Sequence, residues 1–255
     1  FVDAIVSTGA LMSHGLVESV GLSHFKNPGN IKDEELLKLN LNRVYDTLEP
    51  EDNLDKVWKI FRSVFEKRDK RFPTCSYELC RDLGKYLDEN VKGRGIFKSA
   101  FLNKVPIFIP AFTDSEMGLD FGLYNRMEKV KGNPIVGFNP FFDLEYFTEL
   151  IFRAKKTGIL TIGGGVPRNW AQQVAPYLDA IKSEIVEASS NSKERQTDKK
   201  SPYYKPYSYA VRICPEPVHF GGLSGCTFSE SISWGKIVPK DEGGRYAEVI
   251  CDATI

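Results

Sequence analysis

A chain of 255 residues with 42% hydrophobic content can bury a sizeable core, and its length suits one large or two small domains. Lys plus Arg and Asp plus Glu stand at 34 each, so no basic field argues for nucleic acid and charge is silent about the partner. No apolar run reaches the length of a membrane span, and the five cysteines (Cys75, Cys80, Cys214, Cys226, Cys251) contain no CxxC pair, so neither a metal site nor a disulfide framework is expected and a reducing cytoplasm is the simplest setting.

The chain opens without Met on a strand-like run, Val2 to Val6, followed by the loop Ser7-Thr8-Gly9. A helical pattern covers Leu54 to Phe65, and a second strand, Val105 to Ile109, leads into Pro110-Ala111-Phe112-Thr113-Asp114. Next come a helical stretch from Phe142 to Lys155, a strand from Gly158 to Ile162 and the triplet Gly163-Gly164-Gly165. A helix is expected from about Trp170, with Asn169 as its N-cap. Residues 188–205, rich in Ser, Lys, Glu and Asn with no apolar period, read as a flexible excursion. The strand Tyr209 to Cys214, a glycine-rich run from Gly221 to Gly225, the segment Ser229 to Ile237 and the strand Tyr246 to Cys251 complete the order. The last residues, Asp252-Ala253-Thr254-Ile255, are again strand-like, and both ends read as cut from a single domain spanning residues 1–255. Strands alternating with helices argue for an α/β fold with a parallel sheet and helices on its faces, whose ligands sit beyond the carboxyl ends of the strands.

Lys236 stands two residues after Trp234 among apolar neighbours. Desolvation there would favour the neutral, nucleophilic amine that attacks carbonyl or imine carbon. The plain alternative is a strand lysine facing solvent. Glu230 can hold a cationic ammonium and Trp234 can offer it a cation–π face, or the two are a solvated carboxylate and a core aromatic. The glycine triplet lets a ligand approach the backbone at a helix start, where free N–H groups suit a pyrophosphate, or it forms a simple tight turn. Asp114 and Asp252, each after a strand, can accept from a ribose hydroxyl or an amine, or cap a helix. His14, His24 and His219 are scattered and read as structural or surface residues.

Six blocks in register resemble the deoxyhypusine synthase family: Val2 to Gly9, Leu41-Asn42-Arg43-Val44, Pro106 to Asp114, Gly163-Gly164-Gly165-Val166, Ser233-Trp234-Gly235-Lys236-Ile237 and Asp252-Ala253-Thr254. Ser-Trp-Gly-Lys is the most specific of them. The resemblance implies a Rossmann-like sheet with helices on both faces, NAD as cofactor, and a homotetramer with active sites at subunit interfaces. Members oxidise spermidine to an imine, transfer its aminobutyl group to the active-site lysine and pass it to an acceptor amine. By that resemblance Lys236 carries the covalent imine, Trp234 stacks on the aliphatic diamine and Glu230 holds its distal ammonium, with Asn169, Gln173 and Glu116 beside the amine. Thr8, Gly9, Asp114, Gly163, Gly164, Gly165, Ser224, Asp252 and Ala253 line the NAD site.

Departures accompany these matches. Asn169 stands where protein-modifying members carry a histidine, and Leu119 replaces an acid, with Glu116 and Asp120 beside it. Leu223-Ser224 takes the place of an Asp-Ser pair. Such changes resemble the bacterial and archaeal branch, some of whose members move the aminobutyl group to free putrescine and make homospermidine. The expected function is NAD-dependent aminobutyl transfer from spermidine, either to a lysine of the precursor of translation initiation factor 5A or to putrescine. The alternative is a catalytically silent NAD-binding paralogue that supports an active partner subunit. An NAD-consuming deacylase fits poorly, because neither its histidine base nor a zinc ribbon is visible.

Overall fold

A computed structural model describes residues 2–189 and 201–254. They form two compact units that divide between Pro140 and Phe141.

The first unit runs β1 (Ile5–Val6), α1 (Gly9–Ser19), β2 (Phe25–Lys26), α2 (Asp33–Lys38), β3 (Leu41–Val44), β4 (Thr47–Pro50), α3 (Glu51–Glu66), α4 (Ser76–Asn90), α5 (Ile96–Leu102), β5 (Ile107–Phe108) and α6 (Glu116–Val130). Strands β1 and β5 pair in parallel, Ile5 opposite Ile107 and Val6 opposite Phe108. Both are shorter than the expected Val2 to Val6 and Val105 to Ile109. Pro106 and Pro110 bracket β5, and neither has an N–H for a ladder. Pro106 still contributes its carbonyl, which accepts from Ile5 N at 2.9 Å. Beside this pair, β2, β4 and β3 form an antiparallel sheet in that order. The amphipathic stripe of α3, Val57, Phe61, Val64 and Phe65, packs with Met12, Leu16 and Val17 of α1 and Leu79 and Leu83 of α4 into one core.

The second unit runs α7 (Pro140–Arg153), β6 (Gly158–Ile162), α8 (Val166–Ser189), β7 (Tyr209–Ile213), α9 (Phe228–Ser233) and β8 (Arg245–Val249). Its three strands are parallel in the order β6-β7-β8, with Ile162 opposite Ile213 and Ile213 opposite Val249. Because they run the same way, the loops after all three leave from one edge of the sheet. One face buries Thr161, Ala210 and Arg212. The opposite face carries Leu160, Ile162, Val211 and Val249, all exposed.

Helix α8 begins at Val166 rather than near Trp170, so Asn169 is not an N-cap. Its N–H already donates to Gly165 O at 3.1 Å, an ordinary intrahelical bond. Pro167 sits in the first turn, where a missing N–H costs nothing. Of the excursion expected over residues 188–205, residues 190–200 lie outside the described residues. Its start still belongs to α8, and at its end Lys205 Nζ donates to Ala154 O at 2.8 Å.

Candidate functional site

The Ser-Trp-Gly-Lys motif is the C-terminal cap of a short helix. Thr227 opens α9, its Oγ1 accepting from Glu230 N at 3.2 Å. At the other end Gly235 adopts a left-handed φ of 69°. Its N–H reaches Ile232 O at 2.9 Å, and the N–H of Lys236 reaches Ser231 O, also at 2.9 Å. These two bonds are those of a Schellman cap, with glycine at the position that requires positive φ and lysine immediately after it. The chain then docks on a neighbour: Tyr207 N donates to Lys236 O at 2.9 Å and Val238 N to Tyr207 O at 3.0 Å. The backbone of Lys236 is thus fixed from both sides.

The side chain of Lys236 is buried, at 7% exposure. This rules out the strand lysine facing solvent. Its Nζ donates to Asn169 Oδ1 at 3.0 Å and lies 5.5 Å from the centre of the Trp234 ring, while Trp234 itself is exposed. Burial pushes the Lys236 ammonium below the usual lysine range, and the nearby Arg168 guanidinium pushes the same way, with Glu230 and Cys226 opposing in part. The partner Asn169 is neutral and offers no charge to restore the ammonium. A lysine so placed can act as an amine nucleophile.

Around it the carboxyl edge of β6-β7-β8 gathers several expected residues. Gly163 and Gly165 both have positive φ, 83° and 74°, and Gly163 N donates to Ile213 O at 2.8 Å. Gly164 lies against Ser224, where a Cβ would come 2.8 Å from Ser224 Cα. Among the described residues, none apart from its chain neighbours would come within 4 Å of a Cβ at Gly163. Asp252 and Ala253 follow β8 and are exposed. Asp252 Oδ1 accepts from Thr254 N at 2.8 Å and Thr254 Oγ1 at 2.7 Å, which hold its carboxyl below the usual range. Gln173, one turn beyond Asn169, is exposed, whereas its neighbour Gln172 is buried and accepts from Ser231 Oγ at 3.4 Å.

Two arginines with no role in the sequence reading organise this edge. Arg168 donates to Cys226 O at 2.8 Å and Leu223 O at 2.9 Å. Arg212 donates to Ser224 O at 2.6 Å, and its Nε lies 3.0 Å from Glu248 Oε1, which also accepts from Phe228 N at 3.0 Å. Both are buried, at 4% and 2% exposure. They pin the carbonyls of the loop after β7, and Glu248 ties the same cluster to the first residue of α9. The signal for Arg212 was present in Tyr209-Ala210-Val211-Arg212-Ile213, where an arginine takes an inward position of an apolar strand.

The remaining expected residues belong to the first unit. Thr8 caps α1, accepting from Leu11 N at 3.3 Å. A Cβ at Gly9 would lie 2.2 Å from Ser115 Oγ, so glycine is required for that approach. Ser115, not Asp114, caps α6, accepting from Gly118 N at 3.2 Å, and Asp114 is left exposed. Glu116 opens α6 with Oε2 buried and unpartnered among the described residues. One turn on, burial first and the neighbouring Glu116 second push the Asp120 carboxyl up to about 7. His14 and His24 are not scattered: His14 Nδ1 and His24 Nε2 lie 3.3 Å apart. No helix among the described residues is long and apolar enough to cross a membrane.

Residues 1–255 match the family model described as deoxyhypusine synthase. The chain is similar to the probable deoxyhypusine synthase 2 of Archaeoglobus fulgidus, 32% identical over 256 residues that cover 100% of this chain and 74% of that protein. A probable deoxyhypusine synthase 2 of Methanosarcina acetivorans is 29% identical, matching 100% of this chain and 66% of its own length. The deoxyhypusine synthase-like protein of Elusimicrobium minutum is 32% identical over 97% of this chain and 60% of that protein. The chain therefore spans about two thirds of the length of the relatives it matches. Among solved structures, a candidate deoxyhypusine synthase from Entamoeba histolytica superposes with a TM-score of 0.55 at 16% identity, over 100% of this chain and 62% of that one, a likeness of fold.

Proposed function

Since the chain belongs to the deoxyhypusine synthase family, we propose that it is an NAD-dependent aminobutyl transferase working through a covalent intermediate on Lys236. The observation that carries this reading is the buried Lys236 amine, held 3.0 Å from a neutral amide and pushed toward its uncharged form. An uncharged Nζ can add to the imine carbon of an oxidised donor, expel the rest of the donor as a free amine and hold the aminobutyl group as a new imine until an acceptor amine displaces the lysine. Trp234 offers a face to the aliphatic chain and Glu230 a carboxylate to the distal ammonium. Asn169, which already bonds Nζ, and Gln173 one turn on are proposed to contact the amine, as is Glu116, whose buried Oε2 lacks a partner among the described residues.

The residues assigned to NAD suit such a group. Gly163 and Gly165 bring backbone with positive φ to the start of α8, where helix N–H groups and open space favour a pyrophosphate. Thr8, Gly9, Asp114, Gly164, Ser224, Asp252 and Ala253 are proposed for the rest of the cofactor. When bound, NAD would supply hydride exchange with the amine, and the protein's part is to orient and to exclude water. A homotetramer with sites shared between subunits and a cytoplasmic setting are proposed from the same family membership.

The donor is proposed to be spermidine, and the acceptor a lysine of the initiation factor 5A precursor or free putrescine. Incubation of the protein with NAD, spermidine and each acceptor in turn, read by mass spectrometry, tests the reading. A four-carbon amine added to either acceptor supports it and identifies the acceptor. NAD binding with transfer to neither, from spermidine or from putrescine as donor, would favour the silent paralogue.

A further inference from the structure

We propose that His14, His24 and Glu49 form a binding site for one divalent transition-metal ion of the zinc type, independent of the reading of Lys236. The three residues come from different elements: His14 from the middle of α1, His24 from the turn before β2, and Glu49 from β4. Glu49 is fixed by its strand register opposite Asn42, and the turn carrying His24 is held by Asn53 Nδ2 donating to Ser23 O at 3.1 Å.

One ligand atom from each residue converges. His24 Nε2 is 3.3 Å from His14 Nδ1 and 3.2 Å from Glu49 Oε2, and His14 Nδ1 is 2.5 Å from the same oxygen. Ligands of a tetrahedral ion with bonds of about 2.0–2.1 Å stand roughly 3.3 Å apart, so two of the three separations already match. The third is shorter, so an ion seated there has to spread His14 and Glu49 by less than about 1 Å. Two imidazoles and one carboxylate are a donor set that zinc and other borderline divalent ions take, with a fourth position left for water.

Two further observations point the same way. His24 Nδ1 lies 3.1 Å from Glu18 Oε1. With an ion at Nε2 that carboxylate would take the His24 proton on Nδ1, the outer-shell partner that metal-bound histidines use. Glu49 is 1% exposed, and its Oε1 is buried with no hydrogen-bond partner among the described residues. A buried carboxylate oxygen left without a donor is costly, and a cation would satisfy it. The side chain of His14 keeps 28% exposure, which leaves a path for the ion to enter.

The test is calorimetric titration of the chelator-stripped 255-residue chain with Zn²⁺ alone, and optical titration with Co²⁺ alone. One equivalent is expected to bind, with a Co²⁺ visible spectrum free of thiolate charge-transfer absorption. His24→Gln and Glu49→Gln should weaken binding at least a hundredfold. Glu18→Gln, an exposed substitution that leaves all three ligands in place, should weaken it about tenfold. Circular dichroism of each variant separates lost ligation from lost folding, and Glu18→Gln carries the test if the buried variants unfold. Absence of stoichiometric binding, equal binding by wild type and the His24 and Glu18 variants, or a thiolate-dominated Co²⁺ spectrum would overturn the proposal.

Discussion

Lys236 and Asn169 bond to each other although they stand far apart in the chain, and the neutrality of the amide governs the amine. Replacing Asn169 by Asp keeps the shape and adds a negative charge 3.0 Å from Nζ, which favours the ammonium. In Asn169→Asp, formation of a trapped Lys236 adduct at neutral pH should fall at least tenfold, and its pH profile should move to higher pH. In the parent protein that profile should rise below the pH at which an ordinary lysine titrates, because burial lowers the Lys236 pKa. The sign for stability follows from the same shift: the unfolded chain holds the Lys236 proton more tightly, so this residue's contribution grows as pH rises toward the ordinary lysine range. Lys236 was legible in the sequence from its apolar, aromatic neighbours. Arg212 showed only as an inward position of an apolar strand, and Arg168 not at all, because their partners are backbone carbonyls of a loop that only the fold brings to them.

At the scale of elements, the parallel strands β6, β7 and β8 were legible because each is an apolar run bounded by glycine or polar turns. The antiparallel sheet of β2, β4 and β3 was not, since β2 and β3 are short and mostly exposed and show no clean alternation. The start of α8 was misplaced because Val166-Pro167 reads as a break, although proline is well tolerated in a first turn. Gly164 tests the junction of that turn with the loop after β7. A methyl there meets the Ser224 backbone, which cannot swing away as a side chain would, so Gly164→Ala should lower stability by about 1–3 kcal/mol in thermal or urea unfolding. In α6 the Glu116 and Asp120 pair makes a pH-dependent prediction. The folded-state pKa of Asp120, about 7, lies above its ordinary 3.8, so the folded protein holds that proton more tightly. The resulting stability is present below about pH 4 and is lost as pH rises toward 7. Asp120→Asn should flatten this decline and raise stability at pH 8 by about 1 kcal/mol, discounted for partial exposure.

Across the whole molecule, the expected site residues divide between the two units. Thr8, Gly9, Asp114 and Glu116 lie in the first, and the glycine triplet, Asn169, Gln173, Ser224, Glu230, Trp234, Lys236, Asp252 and Ala253 in the second. Each unit sets its share by the same device, a parallel strand whose carboxyl end runs into a glycine-bearing turn and a helix start. The family was legible because six short blocks keep their order along the chain. The pairing of His14 with His24 and Glu49 was not, because nine and then 24 intervening residues hide a contact made by a helix, a turn and a strand.

The most direct test of the central claim is borohydride reduction of the protein after incubation with NAD and spermidine, followed by peptide mass spectrometry with Lys236→Ala as control. We expect a four-carbon amine adduct on the peptide containing Lys236, absent from the control. An adduct on another lysine, or none on a protein that binds NAD, would contradict the account.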